Sequence, residues 1–327
     1  MDYSTREPLL RVRNLTTQLQ SKRGTGLAVK GVSFDLYPGE TLGLVGESGS
    51  GKSLTCLSVL RLNPKPASTV TGGEVLFESE DLLRISDDEM RAYRGKKIGM
   101  ILQDPMRALN PVLTIGDQLF ESLRLHKGLR GAELRRAAAA LLERVQIPNP
   151  EQGLSAYPHH FSGGMRQRVV GAIAMAGSPS VLIADEPTTA LDVTVQAAFL
   201  DLLKRIQREE GLSILFVTHD FAVVARMCDR VAVMYAGRIV ETAPTAALFN
   251  APRHPYTESL LKSVPDVDHK DERLYTIPGQ PPSIFSEVRG CAFAPRCPYV
   301  MERCLKDVPP QKESGPGHTV SCWRLGD

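Results

Sequence analysis

At 327 residues and 42% hydrophobic content the chain can bury a large core, so it reads as one large domain with a smaller appendage and not as a disordered segment. Its 39 basic and 37 acidic residues nearly cancel to a formal net charge of +2 and are spread along the sequence, leaving no basic stripe for nucleic acid or a polyanionic surface. Residues 1–10 are polar and charged, unlike a secretory signal, and no run approaches the roughly 18 apolar residues of a membrane-spanning helix. The expectation is a protein that stays in the cytosol and reaches a membrane only through partners. Six cysteines in such a chain do not read as a disulfide framework.

Short β-branched runs alternate with amphipathic stretches, the pattern of a mainly parallel sheet wrapped by helices. The first buried strand is predicted at 41–45. It runs into Gly46-Glu47-Ser48-Gly49-Ser50-Gly51-Lys52-Ser53, and 54–60 then suits a helix. This is the setting of a phosphate-binding loop, in which glycines let successive N–H groups turn toward one anion and the helix N-terminus adds its partial positive charge. Lys52 would hold the β and γ phosphates, and Ser53 would offer a hydroxyl to Mg²⁺, a hard cation that favours oxygen ligands. Between 104 and 160 the strand signals fade, and 132–147, rich in Ala, Leu and Arg, is predicted helical, so a helical lobe is placed at about 104–165. A second buried strand, 181–184, ends in Asp185 and Glu186. Asp185 could anchor Mg²⁺, and Glu186 could orient and polarise an attacking water. Asp192 is a candidate N-cap for a helix in which Val195, Phe199, Leu202 and Ile206 recur at helical spacing. A third buried strand is expected at 213–217. Residues 231–235 and 238–241 flank Ala236-Gly237 as a hairpin, with glycine supplying the positive φ. Beyond Asn250 proline and cysteine become frequent and periodicity is lost, so 251–327 reads as an irregular appendage.

Upstream of the two carboxylates, Phe161-Ser162-Gly163-Gly164-Met165-Arg166-Gln167-Arg168 resembles the signature sequence of ATP-binding cassette (ABC) proteins. The resemblance extends to Gln103 as the Q-loop glutamine, Ala190-Leu191-Asp192 as the D-loop and His219 as the switch histidine, all in family order over about 200 residues. It implies an α/β fold: a P-loop NTPase (RecA-like) core with an antiparallel β subdomain, an α-helical signature lobe and a small irregular C-terminal extension. Residues 1–250 would form the nucleotide-binding domain and 251–327 the extension. It also implies ATP and Mg²⁺ as ligands. Gly46, Glu47, Ser48, Gly49, Ser50, Gly51, Lys52 and Ser53 would hold the nucleotide together with Ser162, Gly163 and Gly164 of a second cassette facing head to tail. Ser53, Gln103 and Asp185 would hold Mg²⁺, and Glu186, His219, Gln103 and Lys52 would carry hydrolysis, which reopens the dimer and moves partner membrane subunits. Two positions depart from the family pattern: Leu19 stands where an adenine-stacking aromatic is usual, and Met165 where many members have glutamine.

Methionine at that position is usual in one subgroup. The stretch Tyr157-Pro158-His159-His160-Phe161-Ser162-Gly163-Gly164-Met165-Arg166-Gln167-Arg168, with Gln103-Asp104-Pro105-Met106 and Arg253-His254-Pro255-Tyr256-Thr257, looks like the dipeptide and oligopeptide importers. The resemblance then covers nearly the whole chain. It implies an ATPase subunit at the cytoplasmic face of the inner membrane, working with a second related ATPase as a heterodimer, two permease subunits and an external substrate-binding protein, and with no nucleic acid. Glutathione or a nickel chelate are alternative cargoes. A soluble ABC ATPase acting on DNA or the ribosome is disfavoured, since no coiled-coil arm or second cassette is present in the sequence. Intact Lys52, Asp185, Glu186 and His219 speak against a catalytically silent subunit. His159 and His160 read as structural or surface residues.

Cys291, Cys297, Cys304 and Cys322 lie in the appendage, whereas Cys56 and Cys228 fall in apolar contexts and read as buried. Structural zinc sites use pairs two to four residues apart, which this wider spacing fits poorly. Four thiolates can hold a 4Fe-4S cluster, and some of the peptide-importer ATPases that the chain resembles carry one on a similar tail. Zinc and reduced thiols are the alternatives. A structural clamp on a tail too small to build its own core is favoured over electron transfer.

Overall fold

Runs of β-branched and aliphatic residues set the strands, and the computed structural model describes residues 6–22, 24–189, 191–264 and 275–325. In chain order the strands are β1 (Leu10–Ser21), β2 (Gly24–Leu36), β3 (Thr41–Val45), β4 (Ser68–Phe77), β5 (Glu80–Asp81), β6 (Ile98–Ile101), β7 (Val181–Asp185), β8 (Ser213–Thr218), β9 (Arg230–Tyr235), β10 (Arg238–Pro244), β11 (Lys312–Gly315) and β12 (His318–Val320). The chain divides into two compact units, one made of 1–37, 41–83 and 218–327, the other of 38–40 and 84–217.

In the first unit β2, β1, β4 and β5 form an antiparallel sheet in that order. Leu10, Val12 and Leu15 of β1 are fully buried, with Leu10 opposite Leu36 on one side and Phe77 on the other. The Thr17 hydroxyl, also buried, lies 2.8 Å from the Ser58 hydroxyl on the helix Lys52–Val59, so the sheet and the helix behind the phosphate loop share a polar tie. In the same unit β3 pairs parallel with β9, and β10 returns antiparallel to β9. The turn between them places Ala236 at φ 47° and Gly237 at φ 88°, so both residues, not the glycine alone, occupy the left-handed region of a two-residue hairpin loop.

The appendage is more ordered than its composition predicts. It carries the helix Pro255–Lys262 and adds two strands to the sheet edge, β12 on β10 with Glu241 opposite Val320, and β11 on β12. The anchor is Glu241, which is fully buried. Its carboxylate accepts from the Arg253 N–H at 2.7 Å and the His254 N–H at 3.0 Å, and Oε1 lies 2.7 Å from His318 Nε2. Three partners from two segments of the appendage satisfy a carboxylate that would otherwise be too costly to bury.

In the second unit β6, β7 and β8 form a parallel sheet, and every residue of β7 and β8 is buried, as a strand covered on both faces requires. Between β6 and β7 the regular elements among the described residues are all helices. Ile115–Lys127 starts at a capping box between Thr114 and Asp117 and ends at Gly128, φ 69°, and Gly131–Arg144 presents Leu134, Ala138, Leu141 and Leu142 to the interior. The helix Val193–Glu210 begins where expected, with Asp192 Oδ1 accepting from the Val195 N–H at 3.0 Å, and ends at Gly211. No helix among the described residues is long and apolar enough to cross a membrane.

His254 makes the appendage sensitive to acid. It is buried, its Nδ1 accepts from the Tyr256 N–H at 3.0 Å, and burial pushes its pKa down from 6.5 to about 3. Between those values the unfolded chain binds the extra proton, so stability falls as pH drops, by up to about 1.4 kcal/mol per pH unit from this group. His254→Gln keeps an acceptor for Tyr256 and should flatten the dependence of melting temperature on pH below about 6.5. An unchanged slope would place the acid sensitivity on another group.

Candidate active site

The phosphate loop leaves β3 beside β9, with Val45 opposite Val233. A Cβ on Gly46 would stand 2.1 Å from the Met234 carbonyl oxygen, so only glycine fits there. Gly51, at φ 106°, faces the Ala28 carbonyl at 2.6 Å from its would-be Cβ. The loop is closed by the Ser50 N–H donating to the Glu47 carbonyl at 3.2 Å and the Gly237 N–H donating to the Ser50 carbonyl at 2.9 Å.

Three features suit this loop to an anion. The helix Lys52–Val59 has no side-chain bond from its N-cap residue Gly51 and no acidic residue in its first turn, so its N-terminal end keeps its partial positive charge. The Ser50 hydroxyl is buried without a partner, a deficit worth about 1–3 kcal/mol that a phosphate oxygen would relieve. Lys52, 4% exposed, donates from Nζ to the carbonyls of Gly46 at 2.8 Å and Glu47 at 3.1 Å, which holds its ammonium at the loop. Ser53 follows in the first helical turn, and Ser48 and Gly49 line a small cavity with Lys30, Tyr235, Pro281 and Ile284. Glu47 differs from its neighbours: its N–H donates to the Tyr256 hydroxyl and its carboxylate pairs with Arg296. His219, also in this unit, is exposed just before Asp220, which caps the helix Phe221–Met227. Leu19 lies opposite Gly26 in the β1–β2 register, and an atom of the Phe285 ring stands 3.2 Å from the position of a Gly26 Cβ.

The second unit holds the carboxylates and the signature. Asp185 ends β7 and is 4% exposed. Glu186 follows with φ 44°, its N–H donating to the Val217 carbonyl at 3.0 Å. A non-glycine residue in this region costs on the order of 1–3 kcal/mol, so the surroundings must hold it there. Its Oε2 accepts from Gln103 Nε2 at 3.1 Å and Thr189 Oγ1 at 3.2 Å, so this unit brings Gln103 and Glu186 together. Ser162 N-caps the helix Gly163–Met175, accepting from the Met165 N–H at 3.3 Å. A Cβ on Gly163 would meet nothing within 4 Å, whereas one on Gly164 would stand 2.3 Å from Val195 Cγ1. Gly164 therefore serves helix packing, and Gly163 leaves the helix start open. Arg166 Nε donates to the carbonyls of Pro158 and Phe161, both at 2.9 Å, fixing the approach to the signature. His159 and His160 are exposed and pack their rings on each other and on Tyr157. Of the D-loop, Ala190 lies outside the described residues, and Asp192 is the cap of the following helix.

Cys291, Cys297, Cys304 and Cys322 line one small cavity, and Cys56 and Cys228 are buried elsewhere. Burial, with a smaller push from the other three cysteines, raises the Cys291 thiol to about 11, and burial also raises Cys297 and Cys322. Among the described residues, however, no group of three or more His, Cys, Asp or Glu side chains could hold a metal ion. The expectation of a 4Fe-4S centre thus finds four thiols lining one cavity but not gathered around a single metal ion.

The α/β fold, with a glycine-rich loop between β3 and the helix Lys52–Val59, is that of a P-loop NTPase of the cassette type. Residues 29–189 match the ABC transporter family, and residues 240–304 match the oligopeptide/dipeptide transporter C-terminal region. The dipeptide transport ATP-binding protein DppD of Bacillus subtilis (strain 168) is 51% identical over 317 residues, covering 97% of this chain and 95% of that protein. The oligopeptide transport ATP-binding protein OppD of the same organism is 48% identical over 318 residues, covering 97% and 89%. The solved dimer of the ATP-binding cassette MJ0796 in a post-hydrolysis state, bound to ADP and Pi, is similar with a TM-score of 0.64 and 28% identity, covering 72% of this chain and 98% of that one. The chain belongs to the ABC transporter ATPases, with a C-terminal region of the oligopeptide/dipeptide transporter type. It is an ATPase coupled to transport.

The two signature glycines should separate by experiment. Gly164→Ala should lose about 1–3 kcal/mol in urea unfolding through its clash with Val195. Gly163→Ala should stay within about 0.5 kcal/mol of the parent, so that any change in its ATPase rate reports on function. Equal losses would contradict the packing assigned to Gly164.

Proposed function

We propose that this chain powers the import of di- or oligopeptides as a peripheral subunit on the cytoplasmic face of the membrane, paired with a second, related ATPase and served by an external substrate-binding protein. The cargo reading is supported by the near full-length similarity to DppD and OppD, including the C-terminal region. Glutathione or a nickel chelate would use the same motor, because cargo does not touch the cassette. A seat for the permeases is supported by Leu102, Met106, Val112 and Leu113, all exposed apolar residues on or just after the Gln103 segment.

The observation that carries the hydrolytic reading is the hold on Glu186, a left-handed residue whose carboxylate accepts from both Gln103 and Thr189. Fixed in this way at the end of a buried strand, the carboxylate orients the water that attacks the γ-phosphate and takes its proton. The N–H groups of residues 46–53 and the Lys52 ammonium hold the β and γ phosphates and offset the charge that builds there during transfer. Ser53, Asp185 and Gln103 would offer a hydroxyl, a carboxylate and an amide oxygen to Mg²⁺, which would supply positive charge against the phosphates. His219 contacts the γ-phosphate. Ser162, Gly163 and Gly164 complete the site of the facing ATPase, a role supported by the open helix start at Gly163.

Replacing the base tests this directly. Glu186→Gln should lower turnover at least about 100-fold, as loss of a general base does, while ATP still produces a dimer on gel filtration. Unchanged turnover would remove Glu186 from the mechanism.

We further propose that the four-cysteine cavity is the seat of a 4Fe-4S cluster that clamps the extension. The reading is supported by the convergence of four thiols on one cavity and by the softness of the donor set. Because burial raises the thiols of Cys291, Cys297 and Cys322, loading must displace their protons and should improve as pH rises. Anaerobically purified protein should contain about four irons and four acid-labile sulfides per chain and lose them in Cys297→Ser. Colourless, iron-free protein would return the cysteines to plain thiols.

A further inference from the structure

A two-pronged ion pair in the first unit joins the C-terminal extension to the phosphate loop. Arg296 ends a short 3₁₀ turn, Ala294–Arg296, with its side chain 4% exposed. Nη1 donates to Glu47 Oε2 at 2.7 Å and Nη2 to Glu47 Oε1 at 3.0 Å, the two-pronged geometry that makes arginine–carboxylate pairs strong and directional. The remaining donor capacity is used as well: Nε reaches the Pro278 carbonyl at 3.0 Å, Nη2 the Ile277 carbonyl at 3.4 Å and Nη1 the Tyr235 hydroxyl at 3.3 Å. The guanidinium also lies 5.8 Å from the Tyr235 ring centre and 5.9 Å from that of Phe293. A lysine could not make this set of contacts.

The second grip on the same residue comes from Tyr256, fully buried on the helix Pro255–Lys262, whose hydroxyl accepts from the Glu47 N–H at 2.9 Å. Tyr256 is in turn packed against Tyr235 at 4.5 Å and Phe293 at 5.3 Å between ring centres. Both polar ends of Glu47 are therefore bound by the extension, and what remains is its carbonyl, which faces the loop. That carbonyl accepts from Lys52 Nζ at 3.1 Å and from the Ser50 N–H at 3.2 Å. Rotation of the Glu47 peptide would move the acceptor that Lys52 and Ser50 share.

We propose that Arg296 is a positioning residue for the nucleotide site: acting through the Glu47 carboxylate, with Tyr256 on the Glu47 amide, it holds the phosphate loop in its binding shape before nucleotide arrives. This rests on the reading that the loop holds ATP phosphates. Ordering a loop residue costs on the order of 1–2 kcal/mol, and a site ordered in advance spends less of its binding energy on that step. The clamp therefore acts on affinity. The hydrogen-bond partners of Arg296 are Glu47, Tyr235 and the carbonyls of Ile277 and Pro278, none of them assigned to the chemical step, so the rate at saturating ATP should be unaffected.

The test uses full-length Arg296→Lys and Glu47→Gln, which keep side-chain volume, beside Arg296→Ala and the double variant. Hydrogen exchange without nucleotide should show faster exchange at residues 46–52 in each single variant. The dissociation constant and KM for MgATP should rise about tenfold in Arg296→Ala and less in Arg296→Lys, with kcat within about twofold of the parent. Arg296→Ala combined with Glu47→Gln should be no weaker than the worse single variant, since both break one interaction. Folded variants with a lower melting temperature but unchanged loop exchange and unchanged MgATP affinity would reduce the pair to a structural tie and overturn the proposal. Faster loop exchange in a protein that binds no ATP even with Lys52 intact would uphold the clamp and reject the nucleotide reading instead.

Discussion

The first unit is organised around a single close approach, the Met234 carbonyl against the backbone of Gly46. Parallel pairing of β3 with β9, Val45 opposite Val233, forces it, and no side chain can be accommodated at the start of the phosphate loop. The same pairing brings the β9–β10 turn to the loop, where the Gly237 N–H donates to the Ser50 carbonyl and the Gly237 carbonyl accepts from the Lys30 N–H. From that turn the chain continues into β10, whose Glu241 gathers the backbone of residues 253 and 254 and the ring of His318. The anion cradle and the anchorage of the extension are thus successive consequences of one strand register.

The two units solve the problem of holding a reactive geometry in opposite ways. In the first, glycines remove side chains so that backbone groups can close on one another, and Gly51 adopts φ 106° with no steric penalty of its own. In the second, a residue with a full side chain is held at φ 44° because its carboxylate must point in a defined direction, and Gln103 and Thr189 fix it there. The first strategy yields a surface of donors suited to diffuse negative charge. The second yields a single aimed acceptor, as a proton abstraction requires.

What could be read in the sequence follows the same physics. Strands β3, β7 and β8 are buried on both faces and therefore appear as uninterrupted apolar runs. Asp192 shows as a cap because its side chain bonds only three residues ahead. Strands β1, β2 and β4 did not stand out as predicted elements, because register shifts between Val12 and Leu15 and between Thr17 and Gln18 break the alternation that a strand search follows. Strand β11 is a polar edge strand recruited by backbone hydrogen bonds to β12, and Lys312–Gly315 has no apolar face to announce it. Arg296 was invisible for a different reason: its partner lies 249 positions away, and nothing within Ala-Pro-Arg-Cys marks the arginine as belonging to the phosphate loop. The four cysteines were legible as a group, but their arrangement around the cavity was not.

The placement of these long-range partners has a bearing on how the chain acquires its structure. Glu241 meets His318 across 77 residues, and Glu47 waits for Arg296 across 249. As the polypeptide emerges from the ribosome N-terminus first, the phosphate loop and the central strands are made long before the segments that brace them. Contacts of such sequence separation form late, because their loop-closure entropy must be met before they contribute. Glu241 can meet the Arg253 and His254 N–H groups early but lacks its third partner until His318 arrives, and the Glu47 carboxylate lacks Arg296 until the C-terminal turn docks. Completion of the tail is therefore the last event in maturation of the nucleotide loop, and a nascent or truncated chain carries the cassette sequence with that loop still unbraced.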